Sequence, residues 1–236
     1  MSTVQGGWQA DGGYVTNGLI FYVDASSTRS YNRFGNTGIW KDLQNNIFNG
    51  DIADNPSFDI NNRGSLVFNG TSQRVTYTTQ VAAINAVTNV TMEAWFQLSI
   101  SDGNSRTILS KAEYGYRMQV NDGSTLTATL ATYSPSLSLV SINCVTGITL
   151  NTWYHAVATY DGTNIVSYNN GQQFSTVSMP TGLYVDQLYG FSVADNSRRP
   201  GRFWAGKIPI VRVYNRALTA SEVLQNYNAN KNRFGL

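Results

Sequence analysis

The sequence predicts an all-β protein, a two-sheet antiparallel β-sandwich with one short C-terminal helix, and three observations carry this prediction. Short runs rich in Thr, Val, Tyr, Phe and Trp recur along the chain, and these side chains pack well on pleated strands. Asn-Gly or Asp-Gly pairs, which are hairpin signals, occur at positions 49, 69, 102, 122, 161 and 170. The length of 236 residues suits one sandwich, since such domains commonly reach about 200–250 residues.

The predicted strands follow one another along the chain. The first spans residues 19–23, after a glycine-rich N-terminal segment. The clearest spans residues 90–100, where apolar side chains at even positions alternate with a more polar second face. A period of two is typical of a strand, whereas a helix repeats about every 3.6 residues. Runs at 153–160, 164–168 and 172–176, joined by turns at 161 and 170, predict a meander of three antiparallel strands.

We predict the helix over residues 219–228. Thr219 is a suitable N-cap, and Glu222 stands three residues later, which is the spacing of a capping box. The residues after the helix, 230–236, are expected to fray unless a partner holds Phe234 and Leu236.

Five segments, taken in their order and spacing, are specific for one fold. They are residues 18–52, 65–77, 90–98, 152–173 and 201–236. Together they resemble the laminin-G-like domains of the concanavalin A-like lectin/glucanase superfamily. This resemblance implies a jelly-roll sandwich over residues 18–236, and residues 1–17 then form an N-terminal arm.

The opening and closing segments are similar to versions of this domain in structural proteins of tailed bacteriophages. The resemblance implies a virion protein, either a capsid decoration or a tail-associated protein, made in the host cytoplasm. Its expected partners are other virion proteins and copies of itself, together with cell-surface glycans. A carbohydrate-binding lectin or receptor-binding module for the host surface is the alternative, and a glycoside hydrolase is a further one, because the fold alone does not decide function.

The N-terminal arm contains two candidate interaction residues, Trp8 and Tyr14, spaced among glycines. Large aromatic side chains are common anchors at interfaces. The arm therefore either attaches to a neighbour through these rings or is a tail without structure, given its glycine content.

The second candidate interaction segment is the loop at residues 195–202, which we call the arginine loop. It brings Arg198, Arg199 and Arg202 close to Trp204 in sequence, and Arg and Trp are enriched at interface hot spots. The alternative is a solvated hairpin tip whose aromatic residues pack inward.

The acidic residues do not show a glucanase signature, which needs two neighbouring carboxylates. Glu93, Glu113 and Glu222 each lack another acid within five residues on either side. We therefore predict that the chain is not an enzyme, although acids remote in sequence can still converge in space.

Three further residues have both a structural and a functional interpretation. His155 is predicted to be a packed, hydrogen-bonded strand residue and not a catalytic base. Cys144 is predicted to be a small core residue. Trp95 is either a sugar-stacking platform or part of the packing between the two sheets, and we favour packing.

No cofactor is expected, and a structural calcium is the disfavoured alternative to no bound metal. Relatives often hold a structural calcium through a carboxylate of the penultimate strand, where this chain has Pro209 and Ile210. Asp24 alone is a poor calcium site, since Ca²⁺ takes several oxygen ligands. The formal charge of +2 and the absence of an apolar run near about 18 residues lead us to expect neither nucleic acid nor membrane as a partner.

Overall fold

The computed structural model describes residues 13–35, 38–44, 48–77, 84, 88–123, 126–133, 135–136, 138–184, 189–196, 198–199 and 201–236. Across these ranges the chain forms two antiparallel β-sheets and one C-terminal helix, which confirms the predicted fold class. None of the helices described is both long and apolar enough to cross a membrane.

The strands, in chain order, are β1 (Leu19–Asp24), β2 (Ile39–Lys41), β3 (Asn49–Ala53), β4 (Ser57–Asp59), β5 (Ser65–Asn69), β6 (Arg74–Tyr77), β7 (Val90–Leu98), β8 (Arg106–Lys111), β9 (Tyr116–Asp122), β10 (Leu126–Tyr133), β11 (Leu139–Thr146), β12 (Trp153–Tyr160), β13 (Asn164–Asn169), β14 (Gln172–Ser178), β15 (Phe191–Val193) and β16 (Ala205–Tyr214). The helix α1 spans Ala220–Phe234.

Each sheet has eight strands in the part of the chain that is described. Sheet A runs in the order β14-β13-β12-β7-β16-β5-β4, and β1 also pairs with β16. Sheet B runs in the order β11-β10-β9-β8-β15-β6-β3-β2. The predicted meander is confirmed, because β12, β13 and β14 pair in succession.

The main core lies between the two sheets and is built from alternate residues of facing strands. From β7 it takes five of the six apolar residues predicted from the two-residue period, namely Val90, Met92, Ala94, Phe96 and Leu98. The sixth, Ile100, was wrong, because β7 ends at Leu98 and Ile100 is exposed. Cys144 is fully buried in the same core, which confirms its interpretation as a small core residue.

A second core lies between sheet A and α1, so that β7 is buried on both faces. Trp95 is its centre: its ring stacks on Tyr227 and Phe234, with centroids 5.8 and 4.4 Å away. The packing interpretation of Trp95 is confirmed, but the layer is different, since the ring lies under the helix and not between the sheets.

The helix begins as predicted and extends further. The Thr219 hydroxyl accepts a hydrogen bond from the Glu222 N–H, and the Glu222 carboxylate accepts one from the Thr219 N–H, which confirms the capping box. The predicted end near residue 228 and the fraying of residues 230–236 were wrong, because α1 continues to Phe234. Phe234 is buried against Trp95 and Trp153, and this contact keeps the last turns helical.

The turn signals had mixed outcomes. Asn170 and Gly171 have φ of +48° and +78° and join β13 to β14 in a hairpin, as predicted. The turn predicted at Asn49 and Gly50 was wrong, because both residues lie inside β3. A Cβ on Gly50 would lie 2.4 Å from the Tyr77 ring, so this glycine is required by close packing and not by a turn.

Candidate functional site

The arginine loop, residues 195–202, connects β15 to β16 and lies over the outer face of sheet B. Its position follows from β9, where Met118 and Val120 face the main core while Gln119 points to the opposite side. Arg202 donates from Nη1 to the Gln119 side-chain oxygen over 3.1 Å. Residues 197 and 200 of the loop lie outside the described residues.

A buried carboxylate, Glu113, holds the loop down. Its Oε2 accepts hydrogen bonds from Asn196 Nδ2 at 2.7 Å and from Arg202 Nη1 at 3.3 Å. Its Oε1 lies 3.6 Å from Arg117 Nη2 and 3.7 Å from Arg199 Nε. Three guanidinium groups therefore surround one carboxylate.

Arg198 forms a second feature of this surface, because its guanidinium lies between two tyrosine rings. The Arg198 Cζ is 4.1 Å from the centroid of Tyr114 and 5.1 Å from that of Tyr189. Cation–π contacts of this kind contribute about 0.5–1 kcal/mol at exposed sites. Tyr189 is 37% exposed, so an aromatic ring and a cation are presented together at the surface.

An open cleft of about 540 Å³ adjoins these side chains. It is lined by Gly103, Asn104, Ser105, Arg198, Arg199, Gly201 and Arg202. Next to the lining residue Ser105, Arg106 donates from Nη1 to the carbonyls of Gly70 and Phe203, and its Nη2 pairs with Asp102 at 2.6 Å. We define the arginine-loop surface as Arg198, Arg199 and Arg202, which line this cleft, together with Tyr114 and Tyr189, which contact Arg198.

Trp204 was the fourth candidate interaction residue of this loop, and that prediction was wrong. Its side chain is fully buried in the main core, where its ring meets that of Phe96 edge-on at 5.5 Å. The alternative prediction, that the aromatic residues of the loop pack inward, is therefore correct for Trp204. This residue directly precedes Ala205, the first residue of β16.

The N-terminal arm is described from residue 13 onward, so Trp8 lies outside the described residues. Tyr14 packs on its own domain: its ring is 4.9 Å from that of Tyr22 and 4.6 Å from the Arg212 guanidinium. The next residue, Val15, donates its N–H to the Asn226 side chain and accepts from the Tyr214 hydroxyl. The end of the arm is thus fixed to sheet A and α1.

A buried polar cluster joins sheet A to α1. The Glu93 carboxylate accepts from Arg212 Nη1 at 2.5 Å and from Asn226 Nδ2 at 2.6 Å, and it lies 3.2 Å from His155 Nε2. Burial raises the pKa of Glu93, but Arg212, His155 and Asn226 together outweigh it and lower the pKa to about 2. Glu93, Arg212, His155 and Asn226 are all buried, and His155 is a packed, hydrogen-bonded strand residue, as predicted.

Asp24, the one oxygen ligand considered for calcium, is already paired. Both of its oxygens accept from Arg233 Nη1, at 2.9 and 3.1 Å. Arg233 also donates to the carbonyls of Asn62 and Gly64, beside a second cleft of about 390 Å³. Within the described residues, no group of three or more His, Cys, Asp or Glu side chains is placed to hold a metal ion.

Sequence reasoning missed Glu113, Tyr114 and Tyr189. The sequence of β9 did indicate the polar surface on which Glu113 lies. There Arg117 and Gln119 alternate with apolar residues and therefore share the outer face of sheet B. The tyrosines gave no such signal, because they lie in turns whose direction depends on distant contacts.

A family model described as the concanavalin A-like lectin/glucanases superfamily matches residues 69–224, which is more than half of the chain. The chain belongs to this superfamily. A search of curated protein sequences found no match to this superfamily member.

Among solved structures, this concanavalin A-like domain is similar to the binding domain of Paraclostridial Mosquitocidal Protein 1, with a TM-score of 0.70 and 15% identity. That match covers 90% of this chain and 52% of the other. A structure of botulinum neurotoxin type C, whose cell entry depends on interaction with two ganglioside molecules, matches with a TM-score of 0.63, 13% identity and coverages of 90% and 51%. The chain thus spans about half the length of these toxin domains.

Another similar structure is domain 4 of AbnA, an extracellular arabinanase from Geobacillus stearothermophilus, solved in complex with arabinotriose. The TM-score is 0.62 at 16% identity, and the match covers 89% of this chain and 98% of the other. At these identities the structural matches show the shared fold of the superfamily.

Proposed function

We propose that this chain is a non-catalytic recognition module that binds glycans through the arginine-loop surface. The observation that carries the proposal is the position of Arg198 between Tyr114 and Tyr189 beside an open cleft. An exposed aromatic ring offers an apolar face to a sugar ring, while guanidinium N–H groups donate to hydroxyl or acidic oxygens.

The similar structures support a binding role. One is the binding domain of Paraclostridial Mosquitocidal Protein 1, one is a botulinum neurotoxin whose cell entry depends on interaction with two ganglioside molecules, and one is an arabinanase domain in complex with arabinotriose. Fold does not determine function, so their ligands do not transfer to this chain. What they support is the coarser statement that this sandwich serves as a carbohydrate- or receptor-binding module.

The arrangement of acids supports a non-catalytic role. Among the described residues that line the arginine-loop cleft, none is an acid; the nearest described carboxylate, that of Asp122, accepts a hydrogen bond from the Gly103 N–H at 2.8 Å. Glu93 is sealed under α1, and Glu113 is held by Asn196 and three arginines. Glycoside hydrolysis needs two carboxylates facing a sugar, and neither of these glutamates is placed to face one.

We also propose that the protein is part of a virion, as a capsid decoration or tail-associated protein. The resemblance of the opening and closing segments to phage structural proteins supports this location. Residues 13–17 are fixed to the domain, so attachment would depend on residues 1–12. A chain lacking residues 1–12 should fold and fail to join particles. Normal incorporation of that chain would contradict attachment through the arm.

Glycan binding is tested with a glycan microarray probed by the wild-type chain and by Tyr189→Ala and Arg198→Ala. Selective signals for the wild type that fall at least tenfold in both variants are expected. Arg29→Ala, which removes an exposed arginine outside the arginine-loop surface, is the control and should bind as the wild type does. An array without selective signals, or reducing ends released from any polysaccharide, would overturn the proposal.

A further inference from the structure

We infer that the guanidinium of Arg233 is a built-in cation, which takes the place at Asp24 that a structural calcium holds in relatives of this chain. The inference concerns the α1 side of the sandwich, opposite the arginine loop, and does not depend on the proposed function. It comes from the oxygen atoms that converge on this one guanidinium and from the position of Asp24 in sheet A.

The oxygens around the Arg233 guanidinium come from two segments that are distant in the sequence. Nη1 donates to both carboxylate oxygens of Asp24, the last residue of β1, at 2.9 and 3.1 Å. Nε donates to the carbonyl of Asn62 and Nη2 to that of Gly64, each over 2.6 Å. The side chain of Arg233 is 6% exposed, so a single cation is held away from solvent by four oxygen atoms.

The turn that supplies the two carbonyls, Asn61–Arg63, is bound to Arg233 in both directions. The Asn62 carbonyl accepts from Arg233 Nε, and Asn62 Nδ2 donates to the Arg233 carbonyl over 2.9 Å. Asn62 and Arg63 have left-handed backbone conformations, with φ of +53° and +63°. Such conformations are costly for residues other than glycine, and surrounding contacts are needed to keep them. The contacts with Arg233 therefore hold this turn beside Asp24.

Asp24 faces the strand position at which relatives carry a calcium ligand. In the register of β1 and β16 it stands opposite Ile210, and the Ala25 N–H donates to the Pro209 carbonyl over 2.9 Å. Ile210 is fully buried in the second core, so its side chain brings no oxygen to this position. The cation that Asp24 pairs with comes instead from α1, as part of the side chain of Arg233.

The atoms around the Asp24 carboxylate do not fit a calcium ion. Ca²⁺ takes about six to eight oxygen ligands and binds through their lone pairs. Hydrogen-bond donors occupy the lone pairs of this carboxylate, because Oδ1 also accepts from the Ser26 N–H at 2.8 Å and Oδ2 from the Tyr22 hydroxyl at 3.2 Å. A guanidinium presents several donors in one plane, which matches a set made of one carboxylate and two carbonyls.

The test follows the thermal unfolding midpoint of the full chain. The wild type is measured with millimolar calcium chloride and with a chelator, and the midpoint should be the same in both. Arg233→Ala should lower the midpoint by at least about 5 °C, because Asp24 then stays buried without a counter-charge. Millimolar guanidinium, far below denaturing concentrations, should restore most of this loss, since it can enter the vacated position.

Arg63→Ala is the matched control, because it removes an exposed arginine that lines the same cleft as Arg233. Its midpoint should stay within about 2 °C of the wild type, as expected for a surface substitution. Guanidinium should not raise the midpoint of this variant.

A wild-type midpoint that rises with calcium and falls with the chelator would overturn the inference. An unchanged midpoint in Arg233→Ala, or a loss that guanidinium does not reverse, would overturn it as well. An equal response of Arg63→Ala to guanidinium would show a general salt effect and would contradict a site at Asp24. If Arg233→Ala does not fold, guanidinium should induce its folding in circular dichroism, and no gain of structure would count against the inference.

Discussion

Arg212 donates a hydrogen bond to Glu93 across neighbouring strands of sheet A, and neither side chain has any exposure to solvent. The two residues stand directly opposite each other in the register of β16 and β7. The Arg212 guanidinium also lies against the rings of Tyr14 and Tyr22, at 4.6 and 4.7 Å. This pair therefore joins sheet A to the end of the N-terminal arm.

Removing the charge of Glu93 should destabilise the domain strongly. Glu93→Gln leaves Arg212 buried without a counter-charge, and breaking a buried pair in this way costs about 3–5 kcal/mol. The free energy of unfolding in urea measures the effect. Asp51→Asn, which changes an exposed acid of β3, is the control and should cost less than about 0.5 kcal/mol. Similar costs for both variants would contradict a special role for the buried pair.

The difference between the wild type and Glu93→Gln should also depend on pH. The folded-state pKa of Glu93 is about 2, below its ordinary value of 4.5, because Arg212, His155 and Asn226 outweigh the effect of burial. The ionised carboxylate therefore stabilises the fold above pH 4.5, and this contribution is lost as the pH falls toward 2. Unfolding curves between pH 7 and pH 2 should converge for the two proteins, and a constant difference would contradict the assignment.

The contribution of Asp195 to stability should depend on pH in the opposite direction. Burial raises its pKa to about 6, against the lowering effects of the Asn196 N–H and Arg74. Ionisation of Asp195 therefore opposes folding, and its penalty is present above pH 6 and absent below about pH 4. Asp195→Asn should stabilise the domain at pH 7 and have little effect at pH 4. The exposed Asp54→Asn is the control and should change stability by less than about 0.5 kcal/mol at both pH values.

Substitution of Trp204 should lower stability, whereas substitution of Arg199 should affect binding and leave stability nearly unchanged, although the two residues are close in sequence. Trp204→Ala empties a fully buried position and should cost about 3–5 kcal/mol. Arg199→Ala changes an exposed side chain and should alter stability by less than about 0.5 kcal/mol. Thermal unfolding of both variants measures this, and a large loss in Arg199→Ala would contradict its assignment to a surface.

Gly50 should not tolerate a side chain. A Cβ there would lie 2.4 Å from the Tyr77 ring and 2.5 Å from Val75, inside the packed layer of sheet B. Gly50→Ala should therefore cost about 1–3 kcal/mol, the usual range for overpacking. Gly123→Ala is the matched control, since a Cβ at that position meets nothing within 4 Å. Equal stability of the two variants would contradict the packing seen at Gly50.

The sheets and the helix start could be predicted because they depend on local patterns. The two-residue period identified β7, and Thr219 with Glu222 marked the start of α1. The burial of the polar face of β7 could not be predicted in this way. Glu93 resembles a solvent-facing residue in the sequence, and its partner Arg212 is 119 residues away.

For a similar reason, only part of the candidate site could be predicted from the sequence. Arginine clustering marked the loop, but the direction of Trp204 depends on where β16 begins, and the role of Glu113 depends on a contact 89 residues away with Arg202. Residue type indicated the surface, whereas tertiary contacts decide which side chains are presented on it.

The most direct test of the account is to map the ligand contact by nuclear magnetic resonance. Backbone and arginine Nε–H signals would be followed while a glycan that the microarray selects is titrated into the wild-type chain. The account predicts that the largest shifts fall on Tyr189, Arg198, Arg199 and Arg202. Shifts concentrated at the second cleft, around Asp24 and Arg233, with none in the arginine loop, would contradict it.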